Sequence, residues 1–193
     1  MSDARGLRHH RYTYADYVGL ETYSDTKHEF LDGEIYAMSG GTRDHASLSA
    51  TMIHLLFNAV GDRPCDVHTS DLRIRVEAAD LSTYPDASVI CGPMQGYEPG
   101  PKDTALNPMI LVEVTSDSSE EYDTGLKYEY YRTIATLRDY VIVSHRERRV
   151  TVHSRGAGDE WTTHVARAGE RVAVPSLEAE LSVDEIYRKS AVS

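Results

Sequence analysis

The sequence predicts an α/β fold in which a mixed β-sheet is flanked by helices. Three observations lead there. The segment from Arg43 to Val60 repeats its apolar residues at helical spacing, several short runs read as strands, and turn-forming residues punctuate them. Strands, a long helix, central strands, a second helix and a further strand make a layered sheet-and-helix core.

Taken in order, Thr13 caps a short helix from Tyr14 to about Leu20. In Phe30-Leu31-Asp32-Gly33-Glu34-Ile35-Tyr36 an Asp-Gly pair separates two strand-like runs. Both residues tolerate positive φ, so the segment reads as a tight hairpin. Ser39-Gly40-Gly41 breaks its second strand. The long helix carries Leu48, Met52, Leu55, Leu56 and Ala59 on one stripe, and Gly61 and Pro64 end it. Val67 to Val76 alternates as one half-buried strand, with Leu72, Ile74 and Val76 on one face and Arg73 and Arg75 on the other. Tyr84 to Cys91 is a further strand. Met109 to Val114 is almost wholly apolar, as in a central strand covered on both faces. Ser118 with Glu121 forms a capping box that opens a helix to about Ile134, with Tyr122, Leu126 and Tyr130 on one face. Leu137 to Ser144 is strand-like, a hairpin follows through Arg149–Arg155 and Trp161–Ala166, and a short helix runs from Val183 to Lys189. With no repeat and no interdomain linker, the reading is a single domain over 1–193, residues 1–12 being a flexible lead.

At 193 residues the chain can bury roughly 70% of its unfolded surface and needs no staples. No apolar run approaches the roughly 20 residues of a membrane span. Met1 to Tyr14 is polar and basic with no apolar stretch behind it, unlike a secretory signal. Cys65 and Cys91 are too few for a disulfide framework or a zinc knuckle, and are expected as reduced thiols in a cytoplasmic protein. The formal net charge of −11 counts against a nucleic-acid partner, because neutralising phosphates supplies most non-specific affinity. Only local basic clusters stand against it: Arg73 with Arg75, and Arg146, Arg148 and Arg149.

Glu113 is the most informative residue, since it interrupts the apolar run Met-Ile-Leu-Val-Glu-Val. Burying an isolated carboxylate costs several kcal/mol unless a cation, a metal or hydrogen bonds compensate. Alone, it could equally end its strand in an ion pair with an arginine. A second carboxylate, Asp86, follows Pro85 at the head of Ala-Ser-Val-Ile-Cys. Two carboxylates at the ends of neighbouring strands make a hard oxygen site suited to magnesium or manganese. Lys127 lies one turn after Asp123; alone it reads as an exposed i,i+4 ion pair, yet it also edges the apolar face and could reach back over the preceding strand.

Five segments carry a family resemblance: Glu29-Phe-Leu-Asp-Gly-Glu-Ile-Tyr-Ala-Met-Ser, Ser70-Asp71-Leu-Arg, Tyr84-Pro-Asp86, Asn107-Pro-Met-Ile-Leu-Val-Glu113-Val and Tyr122-Asp-Thr-Gly-Leu-Lys127-Tyr-Glu-Tyr-Tyr-Arg132. In this order, over roughly His28 to Tyr187, they resemble the Uma-two family of restriction-endonuclease-like proteins within the PD-(D/E)XK nuclease superfamily. The resemblance implies a restriction-endonuclease-like α/β fold, a mixed central sheet flanked by helices with additional hairpins, and metal-dependent hydrolysis of DNA phosphodiesters. Asp86 then matches the aspartate of the first half-motif and Glu113 the acidic residue of the second. The position two beyond, where many superfamily members keep lysine, is Thr115, and the lysine function passes to Lys127 on the next helix. Glu29 matches an acidic residue supplied from the first helical or hairpin region. His45 resembles a family position at the head of the long helix, although a lone histidine there is more often a capping or packing residue. Magnesium, or manganese, would be held by Asp86, Glu113 and the Val114 carbonyl. A homodimer is expected too, two sites cutting two strands, with Arg73, Arg75 and Arg146 at the rims of one groove.

Other hydrolytic signatures are absent: no second histidine follows His28-Glu29 as in a helical zinc protease, and no Gly-x-Ser-x-Gly elbow or phosphate-binding Gly-Lys loop occurs. Of the 13 tyrosines several, such as Tyr130, fit a packed helix face more simply than base stacking. The competing class is a non-catalytic interaction or regulatory protein that keeps the nuclease fold, which the charge favours.

Overall fold

A computed structural model of the chain describes residues 11–38, 40–98 and 100–193. Helix α1 (Tyr14–Tyr23) begins at Thr13, whose side chain accepts from the Asp16 N–H while Asp16 answers back to the Thr13 N–H. Strands β1 (His28–Leu31) and β2 (Glu34–Ala37) pair antiparallel with Glu29 opposite Tyr36. Their turn takes positive φ at Asp32 and Gly33, 46° and 84°, as a tight hairpin requires. Most of the expected flexible lead, residues 1–10, lies outside the described residues, as does Ser39. Tyr12 is tied down: its N–H donates to the Gly33 carbonyl at 2.8 Å.

The central sheet has six strands in the order β11-β10-β9-β8-β6-β3, comprising β3 (Cys65–Thr69), β6 (Ala87–Cys91), β8 (Ile110–Val114), β9 (Asp139–Val143), β10 (Arg149–Arg155) and β11 (Trp161–Arg167). Only the β8–β9 pair is parallel. A parallel pair needs a crossover, and α3 (Glu120–Thr124) with α4 (Leu126–Tyr131) supplies it. A second sheet, β2-β1-β5-β4-β7, adds β4 (Arg73–Val76), β5 (Leu81–Thr83) and β7 (Thr104–Ala105). A hairpin of β12 (Arg171–Val174) and β13 (Ala179–Ser182) precedes α5 (Val183–Tyr187).

Alternation along the central strands sends their side chains to two cores. Val89, Ile110, Val112, Val141 and Val152 pack with Leu48, Met52 and Leu56 of α2 (Arg43–Val60) and with α5. Leu111, Tyr140 and Ile142 pack on the other face with Tyr131 and Ile134 and with Ile74, Val76 and Leu81 of the second sheet. Glu113, two residues from Leu111, projects to this second face.

Three expectations need correction. Val67–Val76 is not one strand: Leu72 N–H bonds to the Thr69 carbonyl at 3.2 Å and Asp71 N–H to Thr69 Oγ1 at 3.3 Å, and this turn sends β3 and β4 into different sheets. Arg73 and Arg75 are therefore not a wet face. Both are buried, with Arg73 over the Tyr17 and Tyr84 rings and Arg75 over Tyr14 and Tyr97.

The helix after Glu113 is likewise broken, at Gly125 (φ −115°, ψ −98°), and ends at Tyr131. No Ser118–Glu121 capping box forms; Ser116 and Ser119 instead exchange backbone-to-hydroxyl bonds of 3.1 and 3.2 Å. The buried face holds Asp123, Lys127 and Tyr131, while Leu126 is exposed.

Cys65 and Cys91 are not reduced thiols but form a disulfide. They stand directly opposite in the antiparallel β3–β6 ladder, where paired Cβ atoms come within bridging reach. Among the described residues no helix is long and apolar enough to cross a membrane.

Candidate functional site

A cleft of about 750 Å³ opens between the β1–β2 hairpin, the head of α2 and the α3–α4 crossover. The ladder between β6 and β8 pairs Ala87 with Val112, so one step further Asp86 falls opposite Glu113. Asp86, Glu113, Lys127, Glu29 and Val114 all line this one cleft, although 98 positions separate Glu29 from Lys127.

The floor is a charge cluster around Lys127. Its ammonium lies 2.9 Å from Glu113 Oε1, 3.1 Å from Glu29 Oε1 and 3.4 Å from Asp123 Oδ1. Tyr131, one turn on, donates its hydroxyl to Glu113 Oε1 at 2.7 Å. Glu29 also accepts from the Thr83 hydroxyl. Lys127 is thus no exposed helix pair: the buried stripe of Asp123 in α3 with Lys127 and Tyr131 in α4 faces Glu113 near the end of β8.

One cation shared among three carboxylates sets the protonation pattern. Burial pushes the Glu113 carboxyl up to about 8, with Asp123 and Asp86 adding repulsion that Lys127 only partly relieves. Burial raises the Asp123 carboxyl as well. For Lys127 burial favours the neutral amine, yet Glu113, Glu29 and Asp123 together hold it protonated well above its ordinary value. The site is short of positive charge.

Asp86 is held from the other side. Its Oδ2 accepts the Val114 N–H at 2.8 Å and its Oδ1 the Ser49 hydroxyl at 3.2 Å, while His45 Nε2 stands 3.3 Å from Oδ2. That hydrogen bond raises the His45 imidazole, despite the opposing effect of burial, and the Val114 carbonyl bonds to it too. Expected as a capping or packing residue, His45 is capped only through its backbone N–H, to Thr42 Oγ1. Its side chain instead meets Asp86. Sequence reasoning also passed over Asp123, treated only as the partner of a surface pair, and Tyr131; the i,i+4,i+8 stripe Asp123–Lys127–Tyr131 was the signal that could have found them.

A divalent cation fits this donor set. Asp86, Glu113 and the Val114 carbonyl are hard oxygens at the cleft wall, the local charge is negative, and buried Asp123 Oδ1 has only the Lys127 ammonium at 3.4 Å. Among the described residues no three His, Cys, Asp or Glu side chains are gathered to hold an ion by themselves. Two carboxylates with a carbonyl and water match magnesium, which keeps several waters and takes one or two carboxylates.

Comparisons with known proteins agree with this architecture. A solved structure, that of a putative nuclease belonging to DUF820 from Anabaena variabilis, superposes with a TM-score of 0.70 at 19% identity over 86% of this chain and 92% of that one, which shows the fold. An uncharacterized protein of Synechocystis sp., slr1290, is 33% identical over 175 residues, 90% of each chain. A second from the same organism, sll1609, is 29% identical over 77% of this chain and 84% of its own. The family model described as "Putative restriction endonuclease" matches residues 14–185. With that match spanning nearly all of the described fold, the chain belongs to the Uma-two family, a nuclease-like family of restriction-endonuclease type.

Proposed function

We propose that the protein is a magnesium- or manganese-dependent nuclease that hydrolyses DNA phosphodiesters at Asp86, Glu113 and Lys127. The observation that carries this reading is the buried Lys127 ammonium 2.9 Å from Glu113, at the floor of a cleft that Asp86 also lines. Asp86, Glu113 and the Val114 carbonyl would hold the metal. Bound there, it would polarise a phosphate oxygen and lower the pKa of a water enough to supply hydroxide near neutral pH.

Lys127 places a fixed positive charge beside the reacting phosphate, where negative charge grows in the transition state. Glu29 and Asp123 keep that ammonium protonated and aimed, so it works as an electrostatic stabiliser rather than a base. His45 and Ser49 orient the Asp86 carboxylate. Tyr131 fixes the Glu113 rotamer.

The test is cleavage of single-stranded and duplex DNA with magnesium or manganese. Lys127→Ala and Asp86→Asn should each lose about 10²–10³ in rate, the scale of one electrostatic contact. Wild-type protein inert with both ions on both substrates, or variants as active as wild type, defeats the proposal. Inert protein that still folds returns the weight to the non-catalytic alternative that the net charge of −11 favours.

A further inference from the structure

We propose that the cleft takes an unpaired DNA strand rather than an intact duplex, with a base stacked on Tyr36. This rests on the nuclease reading and specifies its substrate.

Charge is the first argument. Among the described residues five carboxylates line the cleft, Glu29, Asp86, Glu113, Asp117 and Asp123, against one lysine or arginine, Lys127, which is already engaged by three of them. A duplex presents two closely spaced rows of phosphates and is gripped by rows of free cations. Arg43, at the head of α2 next to the cleft-lining Thr42, is one exposed cation near the rim, and the other candidates are committed elsewhere. Arg73 and Arg75 are buried, Arg146 pairs with Asp117 and Glu120, and Arg149 pairs with Glu120 and Glu147. A substrate that fits must bring few phosphates and be held by something else.

Depth is the second. The reacting phosphate has to reach Glu113 and Lys127, both 5% exposed. A flexible single strand can bend a phosphate down to them, whereas an intact duplex must be bent or opened to do so, a deformation normally recovered through extra contacts to rows of cations.

The third is the rim itself. Tyr36 stands opposite Glu29 in the β1–β2 ladder, so both side chains emerge on the same face. It lines the cleft, is 49% exposed, and is steadied by its hydroxyl donating to Glu34. Leu126, 51% exposed, closes the opposite lip from α4. Neither side chain contributes to a core. An exposed ring beside a recessed acid–lysine site is a stacking platform, and stacking accepts any base and needs no cation.

Binding is read separately from cleavage. Fluorescence anisotropy with magnesium would compare a labelled 12-nucleotide strand, the same sequence as a blunt duplex, and the strand with its central bases removed. The strand should bind at least tenfold tighter than the duplex. Tyr36→Ala should weaken strand binding roughly 5- to 100-fold, the range for one stacked base, and Tyr36→Phe should retain it. In Tyr36→Ala the abasic strand should bind no worse than the intact one. Duplex bound as well as single strand, no measurable binding of the strand, or Tyr36→Ala unchanged overturns the inference. A protein that binds strands but cleaves nothing defeats hydrolysis and leaves this inference standing. One that cuts duplex and strand equally does the reverse.

Discussion

Replacing Glu113 with glutamine separates a metal-site carboxylate from a structural one. In the wild type the Glu113 carboxyl titrates at about 8 in the fold against 4.5 ordinarily. The folded state therefore holds this proton more tightly than the unfolded chain. Its stabilising contribution is fully present below about pH 4.5 and is lost as pH rises towards 8, by at most about 1.4 kcal/mol per pH unit. Lys127, 2.9 Å away, already lowers that value; relaxation and water reaching the ionised carboxylate offset more of the loss, so we expect a net cost of about 1–2 kcal/mol for the ionised wild type in chelator.

Glutamine mimics the protonated acid. Its carbonyl still accepts from Tyr131, and Lys127 keeps Glu29 at 3.1 Å and Asp123 at 3.4 Å. Thermal unfolding followed by circular dichroism in chelator should show wild type and Glu113→Gln melting together near pH 5. At pH 8.5 the variant should melt about 2–8 °C higher, using ~2–4 °C per kcal/mol for a chain of this size. Calorimetric titration with manganese should show binding in the wild type and none in the variant. If the variant melts lower at both pH values, Glu113 is a structural ion-pair partner, and if manganese binds both equally, Glu113 is no ligand. Either result refutes the reasoning.

Three further outcomes follow from the fold. Reducing the Cys65–Cys91 bridge, which closes a separation of 26 residues, should cost about 3 kcal/mol of stability by loop entropy, read as a lower Tm; two free thiols under non-reducing conditions would contradict the pairing. Tyr84→Phe removes the hydroxyl that accepts from Arg73 at 2.9 and 2.6 Å and donates to Glu21, leaving that buried pair only its direct 3.7 Å contact, Thr104 and His28. It should cost about 1–3 kcal/mol in denaturant unfolding, and an unchanged midpoint would show that water replaces it. The homodimer expected from the family resemblance should give about twice the 21.6 kDa chain mass by light scattering, and a monomer at tens of micromolar with DNA and magnesium would exclude it. Any shared groove would lack Arg73 and Arg75, which are buried.

By itself the sequence determined the local structure and the two strand-end carboxylates. The Asp32-Gly33 hairpin, the Thr13 cap and the α2 stripe are short-range facts of φ preference, hydrogen bonding and periodicity, and each recurs in the fold. Glu113 was legible because a carboxylate inside an apolar strand is costly unless something compensates it. Where long-range packing decides, sequence reasoning failed in a consistent direction. Arg73 and Arg75 looked solvated because alternation reports that two faces differ, not that one is wet; only the α1 and Tyr97 aromatics, contributed from elsewhere in the chain, make a buried guanidinium affordable. The same limit hid the Cys65–Cys91 pairing, which depends on β-ladder register, and the roles of Asp123, Tyr131 and His45. Lys127 by itself read as a surface pair and came into the site through the family resemblance; the contacts it makes there were not legible. The tertiary structure alone breaks the helix at Gly125 and gathers around the lysine three carboxylates from three separate elements, Glu29, Glu113 and Asp123.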